Sequence, residues 1–407
     1  MNATPPAPNR LPALLLPLAL AAAGPAAAQF SALGADSGAA EFGYALAVDS
    51  AASRFAVSAP AQSAVYVYLC DAQGCGLEQR LQGVAGRGFG AALALDGDRL
   101  AVGEAGADSV RLFRRISGSW TVETTLAAAA PLAGSRFGEA LALRGERLAI
   151  AAPRQATGAV HVFSFGGASW AQTQTVFAQD AQARRFGASL VLLPDQLLVA
   201  APLTASPGSY ANGRVEVHAE GGAGSSFAFV QALLPAAANG GELFGQALSV
   251  QGDRLLVGSP GAAAGAGRVQ VFERGVGGAW SLRASLQPPT DVSGVATRFG
   301  WSLAQDGARV LVGEPFAQAP AGGLCGVAHA FIDSAGTLAP AAVPYRDRQP
   351  GGLFGFAVAL AGPRALIAAP GQSDAQAVGR VFSADLALSL YDHGFELPWP
   401  ACAPAAP

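Results

Sequence analysis

Few side chains in this sequence have the chemistry for catalysis or metal binding, and their spacing keeps them apart. The four histidines are His161, His218, His329 and His393. They fall in separate segments, so neither a metal site nor a nucleophile-base pair can be drawn from them. Glu104 and Glu314 occupy equivalent strand ends where other segments carry Ala or Ser. Two carboxylates facing one cleft can hydrolyse a polymer, but these two belong to repeat units too far apart for it. No phosphate loop, nucleophile elbow or zinc-protease helix motif occurs. The reading is therefore no catalytic residue, no metal ligand and no cofactor.

The cysteines carry a different chemistry. Residues 1–28 read as a secretory signal peptide, with Arg10 as the charge, Leu14 to Ala23 as the apolar core and Ala26-Ala27-Ala28 as the cleavage site. Pro12, Pro17 and Pro25 argue against an uncleaved anchor, and no later apolar run is long enough to span a bilayer. Secretion or release to the periplasm exposes thiols to an oxidising compartment. Cys70 and Cys75 flank Asp71-Ala72-Gln73-Gly74 between two strand-like runs, so a hairpin disulfide is expected. Cys325, in a long loop, and Cys402, in the Pro-rich tail, form a second pair by elimination, although four cysteines allow three connectivities. The Cys70/Cys75 spacing is not a zinc pattern.

The elements that position all of these come from a repeat. Phe42-Gly43, Phe89-Gly90, Phe137-Gly138, Phe186-Gly187, Phe244-Gly245, Phe299-Gly300 and Phe354-Gly355 recur at intervals of 47 to 58 residues, a spacing that signals a repeat architecture. After each pair come a short alternating strand, a tight turn such as Asp96-Gly97 or Asp306-Gly307, and a second strand ending in Ala-Pro, Ser-Pro or Glu-Pro in most units. A third strand reads small-x-Val-x-Val-Phe, and a fourth opens on Trp120, Trp170, Phe227, Trp280 or a large aliphatic residue. The composition agrees: 51% hydrophobic, 13% charged, 52 Gly and 27 Pro suit many short buried strands joined by turns. The expected fold is all-β, a seven-bladed β-propeller of four-stranded antiparallel blades over residues 29–391, followed by a Pro-rich tail at 392–407. Net charge is −3, with no lysine, which gives nucleic acid nothing to bind.

Phe-Gly followed by Val-Gly-Ser-Pro-Gly in unit five, or by Ile-Ala-Ala-Pro-Gly in unit seven, resembles the FG-GAP repeats of integrin alpha-subunit propellers and their bacterial relatives. The resemblance covers roughly residues 30 to 390. It implies that first strands line the axis, and that second-to-third and fourth-to-first loops form a partner-binding face. It also implies that Phe30 to Leu33 completes the last blade, a place for which Leu386 to Leu390 competes. Many repeats of that family hold calcium in the first-to-second hairpin. Here those turns carry only one or two acids, such as Asp49, Asp96-Gly97-Asp98 or Asp306, too few oxygens for the ion.

The same turns lead into Arg54, Arg99, Arg147, Arg254, Arg309 and Arg364, with Gln196 in the remaining unit. A ring of guanidiniums for an anionic polymer is one reading. Arginine stems covering apolar surface beside partly neutralising acids is the better one. Recognition is expected where units differ, in the long loops Leu203 to Asn212 and Phe316 to Cys325, with Tyr210, Asn212 and Phe316 as partner-binding candidates. The expected protein is a monomeric, non-enzymatic scaffold that binds a protein or surface glycan. A polymer-acting hydrolase or lyase at the axis and a purely structural envelope protein are the alternatives.

Overall fold

The computed structural model describes residues 31–33, 41–49, 54–71, 74–205, 211–222, 224, 226–236, 240–289, 296–317, 325–334, 336–341, 345–346, 352–362, 364–371 and 379–385. Apart from two single-turn 3-10 helices, its regular structure is β, arranged as seven antiparallel sheets. Blade 1 runs Leu46–Val48, Arg54–Ala59, Ala64–Asp71, Gly74–Gln82; blade 2 runs Phe89–Asp96, Arg99–Glu104, Ser109–Ile116, Ser119–Leu126. Blade 3 runs Leu141–Arg144, Arg147–Ala152, Ala159–Phe165, Trp170–Phe177; blade 4 runs Leu190–Leu192, Gln196–Ala201, Arg214–Glu220, Phe227–Leu233. Blade 5 runs Leu248–Gln251, Arg254–Ser259, Arg268–Arg274, Trp280–Leu286; blade 6 runs Ser302–Asp306, Arg309–Glu314, Val327–Ser334, Thr337–Pro340. Tyr345–Arg346 pairs separately with the third strand of blade 6, beyond Pro340, which has no N–H to continue the ladder.

Blade 7 contributes Ala357–Ala361, Arg364–Ala369 and Arg380–Asp385, and its outer strand comes from the other end of the chain. Ser31 pairs with Ser383 and Ala32 with Phe382, while Leu33 N–H donates to Val381 O at 2.9 Å. The N-terminal strand therefore closes the ring; Leu386 to Leu390 lies outside the described residues. Consecutive first strands touch around the whole circle, blade 7 to blade 1 included, which places them at the axis.

The Phe-Gly pairs are the centres of seven identical turns. In each, the residue after Gly donates its N–H to the carbonyl of the residue before Phe, at 3.0–3.1 Å. The Gly φ values lie between +87° and +97°, the third-position geometry that a type II turn demands and that a Cβ disfavours. Each Gly also presses on the preceding blade: a Cβ on Gly138 would stand 2.8 Å from Ser109 O, and one on Gly245 2.7 Å from Ala200 Cβ. The neighbouring Phe plugs the seam, none of the seven being more than 2% exposed. Burial of this size stabilises by about 2 to 3 kcal/mol per ring. A second glycine column answers it from the preceding blade. Gly158, Gly213, Gly267 and Gly326 precede third strands, and a Cβ there would collide with the backbone of Phe186, Phe244, Phe299 and Phe354.

On the opposite face the arginine column ties blades together. Arg99 lies over Phe165 and Trp170 of blade 3, at 4.4 and 5.4 Å from the ring centroids. Arg147 pairs with Glu220 and lies 5.5 Å over Phe227 of blade 4. Arg254 reaches Gln305, Asp333 and Gly307 O of blade 6 at 2.7, 2.5 and 2.7 Å. Gln196, the exception in sequence, serves the same end: it donates to Gly278 O at 2.8 Å and accepts from Trp280 Nε1 at 2.9 Å. The turn acids act likewise, Asp49 accepting from Gly97 N–H at 3.2 Å and Asp96 from Gly145 N–H at 2.5 Å. These guanidiniums and carboxylates are consumed by the seams.

Two rim devices were invisible in the repeat columns. Blades 1 to 5 each carry a bulge between third and outer strands, for example at Val67/Tyr68 and Leu112/Phe113. The extra residue re-aims a side chain: bulged Glu78 receives Arg54, Arg115 and Trp120 Nε1, and bulged Glu123 receives Arg99. Burial opposes ionisation of Glu78, yet the bonds from Trp120 and Arg115 and the charge of Arg54 hold its carboxyl below the ordinary range. Gln79, Gln174 and Gln231 each bond both backbone groups of the aromatic residue opening the next outer strand, Trp120, Phe227 and Trp280, at 2.7–2.9 Å.

Gly138→Ala is expected to destabilise by about 2 kcal/mol or more, since it adds both a strained φ and a backbone collision. Gly97→Ala, with φ +56° and open space around its Cβ, should cost about 1 kcal/mol. Urea melts of the two variants measure the contrast, and equal losses would contradict the wedge.

Candidate functional site

Tyr44, Ala91, Glu139, Ala188, Gln246, Trp301 and Phe356 follow the seven Phe-Gly pairs and stand at one mouth of the axis. Six of the residues before Phe are non-glycine at positive φ: Glu41, Arg136, Arg185, Leu243, Arg298 and Leu353, between +56° and +68°. The seven-fold repeat of the turn holds them there. The mouth is thus built on a rigid frame, and its seven positions carry six residue types, alanine twice.

Blades 6, 7 and 1 form one side of it, an arc of aromatic rings. Trp301 and Phe356 have centroids 5.8 Å apart, and Phe356 and Tyr44 5.6 Å. Phe316, from the long loop of blade 6, packs edge-on behind Trp301 at 5.4 Å and 79°. Tyr44 is 41% exposed and the other three rings are half-buried, so the arc is partly open to solvent.

Blades 3 and 4 supply the other side. Glu139 accepts from Arg136 Nε at 2.8 Å and from Arg185 Nη2 at 2.6 Å. Burial works against its charge, but the two guanidiniums prevail and hold its carboxyl below the usual value. Tyr44 senses this cluster: burial, then the charges of Glu139 and Glu41, push its hydroxyl up, against the opposing pull of Arg136 and Arg185. At neutral pH its phenol is therefore a protonated donor beside an electrically balanced carboxylate-guanidinium group.

The residues weighed for catalysis lie elsewhere. Glu104 is fully buried, accepting from Arg111 at 2.6 Å and Ser109 at 3.1 Å in its own blade. Glu314, also fully buried, meets His329 Nε2 at 2.5 Å. His161 contacts Gln155 and Thr175, and burial pushes its imidazole down. His218 lies 3.3 Å from buried Glu216. His161 and His329 also lie tilted or edge-on against their blades' Phe137 and Phe299, each at 5.4 Å, so this polar column packs the seams. No group of three or more metal-ligating side chains occurs among the described residues.

Of the loop candidates, Phe316 reaches the mouth. Asn212 is fully buried and accepts from Gly240 N–H at 2.9 Å, which ties it to the segment leading into blade 5. Tyr210 lies outside the described residues. Cys70 and Cys75 form the expected disulfide. Cys325 is buried and not a free thiol, while Cys402 and His393 lie outside the described residues. The position after Phe-Gly was the missed signal: read in register, it puts Trp301, Phe356 and Tyr44 on adjacent blades.

The depressed carboxyl of Glu139 gives a pH prediction. Its ion pairs contribute stability that is fully present above the unfolded value of 4.5 and lost as pH falls through the lower folded value. The gap in melting midpoint between the native protein and Glu139→Gln should be constant above pH 4.5 and close at more acid pH. A gap that persists unchanged there would refute it.

No protein-family model matches the chain, and no curated protein does. Solved structures match its architecture. The β-propeller domain of Cps50 (Swd1) from Myceliophteria thermophila is similar over 88% of this chain and 99% of that one, with a TM-score of 0.59 at 13% identity. A putative 6-phosphogluconolactonase from Bacteroides uniformis is similar over 75% of this chain and 85% of that one, with a TM-score of 0.53 at 11% identity. Likeness at such identities is one of fold, and with seven four-stranded antiparallel blades the chain is a seven-bladed β-propeller.

Proposed function

We propose that this is an exported, non-enzymatic interaction module that binds a surface glycan at the Phe-Gly mouth of its axis. The observation that carries this is the continuous run of four aromatic rings, Phe316, Trp301, Phe356 and Tyr44. A pyranose has an apolar C–H face and an edge of hydroxyls. The arc suits the face, and the Tyr44 hydroxyl with the Glu139 carboxylate and its guanidiniums suits the edge. A cationic ligand would meet Arg136 and Arg185 before it met an unpaired carboxylate. The Cys70–Cys75 disulfide supports an oxidising compartment, in keeping with residues 1–28 as an export signal. The Phe-Gly turns keep their likeness to FG-GAP repeats of adhesion receptors, which supports binding over chemistry.

The lactonase-named neighbour raises the hydrolytic alternative. Glu104 and Glu314, the acids that reading would use, are buried in separate blades and already bonded, which favours binding.

Protein lacking residues 1–28, applied to a glycan array, should give saccharide-dependent binding that Trp301→Ala or Tyr44→Ala weakens about tenfold or more. Binding that survives both substitutions would refute the site. A Trp301-dependent protein partner with no glycan signal would replace the glycan reading with a protein-binding one.

A further inference from the structure

The Cys70–Cys75 disulfide has surroundings that a purely structural bridge does not need. It joins directly opposed residues of an antiparallel hairpin, five positions apart in sequence, whose strands are already held by their ladder. Both cysteines are half-buried. Gly74 and Gly76 flank Cys75, and space for 4 Å around their missing Cβ atoms is empty. A shallow, open cavity of about 420 Å³ lies there, with Cys75, Leu69, Leu77, Asp71 and Glu78 in its wall. The Arg364 guanidinium, from blade 7, donates to Cys75 Sγ at 2.9 Å and to Asp71 O at 2.9 Å. Equivalent side chains of other blades, such as Arg99 and Arg147, meet an aromatic ring instead. Two acids line the cavity: Glu78 is taken up by Arg54 and Arg115, and the Asp71 carboxylate accepts from Gly74 N–H at 3.1 Å, while Arg364 is the cation at hydrogen-bond distance from the sulfur.

We propose that Cys70–Cys75 is a thiol–disulfide exchange site, with Cys75 the sulfur that forms the mixed disulfide with an external thiol or disulfide. In the oxidised protein an incoming thiolate enters the cavity and attacks Cys75 Sγ. The Cys70–Cys75 bond breaks, and Cys70 leaves as thiolate and takes a proton from water. A second thiolate attacks the mixed disulfide on the external sulfur, releasing Cys75 as a thiolate that Arg364 stabilises. The two external thiols are oxidised to one disulfide, and the protein disulfide is reduced to two thiols. In reverse, the Cys75 thiolate attacks an external disulfide and Cys70 resolves the adduct. A cation at hydrogen-bond distance is what lowers a thiol's pKa and makes it the attacking group.

The test uses the exported chain as Cys70→Ser, with oxidised glutathione as the probe. A single glutathione adduct mapped to Cys75 is expected, and its absence would overturn the proposal. Iodoacetamide alkylation against pH should show Cys75 ionising below the ordinary thiol value of about 8.5. At neutral pH it should react about tenfold faster than Cys70 in the Cys75→Ser variant. Arg364→Gln should raise the Cys75 midpoint and Arg364→Lys restore it, each checked for a native-like melt. A Cys75 midpoint at the ordinary value, or one that Arg364→Gln leaves unmoved in a folded protein, would reduce the bridge to a structural staple.

Discussion

The architecture depends on one close approach, the glycine of each Phe-Gly turn lying against the backbone of the blade before it. The approach is reciprocal. Gly245 meets Ala200, Val215 and Arg214 O of blade 4, while Gly213 of blade 4 admits the Phe244 backbone. Blades packed this tightly leave a wedge-shaped gap further out, and the gap is the size of a phenylalanine ring. Phe244 fills it against Leu198, Val215 and Val217 on one side and Phe272 on the other. The dipeptide is thus a matched pair, in which Gly sets the spacing and Phe occupies the volume that the spacing creates.

Polar chemistry is spent on the same seams. The hairpin-face arginines, the turn aspartates, the bulged glutamates and the rim glutamines all bond a neighbouring blade or its own strands, so their recurrence has a mechanical cause. Function must therefore be sought in columns whose members differ while their backbone stays fixed. The position after Phe-Gly is such a column, with Trp301, Phe356 and Tyr44 on three adjacent blades and Glu139 on a fourth. A rigid frame with unlike side chains is the usual way in which propellers and barrels carry recognition.

Much of the frame was legible in the residues. Phe and Gly at a fixed distance from an Asp-Gly hairpin carry their own turn geometry, and alternation marks the strands, so seven blades followed from the columns. The seam contacts were not legible, because they join residues tens of positions apart, and 289 apart at the closing seam, whose pairing depends on the twist between blades. Gln196 shows the difficulty: in sequence it breaks the arginine series, and in space it makes the same crossing through Gly278 O and Trp280. The bulges were equally hidden, since the phase shift they introduce falls in outer strands that are mostly exposed and carry few buried apolar residues to show it. Loop length alone did not sort the candidates, since Phe316 joins the aromatic arc while Asn212 is buried. Asn212 is fully buried where its side-chain carbonyl accepts from Gly240 N–H.

Ring closure explains why the seam between blades 7 and 1 differs from the rest. Six blades receive their outer strand from the same stretch of chain, but blade 7 borrows Ser31–Ala32, a strand of two residues. Two residues contribute few ladder bonds, so the closing blade relies more than the others on contacts made elsewhere along its seam. Phe42 supplies the plug, stacked edge-on against Tyr66 at 5.3 Å. Tyr68 adds a parallel stack on Phe55 at 5.0 Å. Arg364 supplies the crossing on the hairpin face, where it finds a disulfide in place of an aromatic ring. The one seam closed without chain continuity is also the one whose guanidinium rests on sulfur. The Arg364–Cys75 contact is thus one of several, with the Ser31–Ala32 strand and the Phe42 plug, that hold the ends of the ring together.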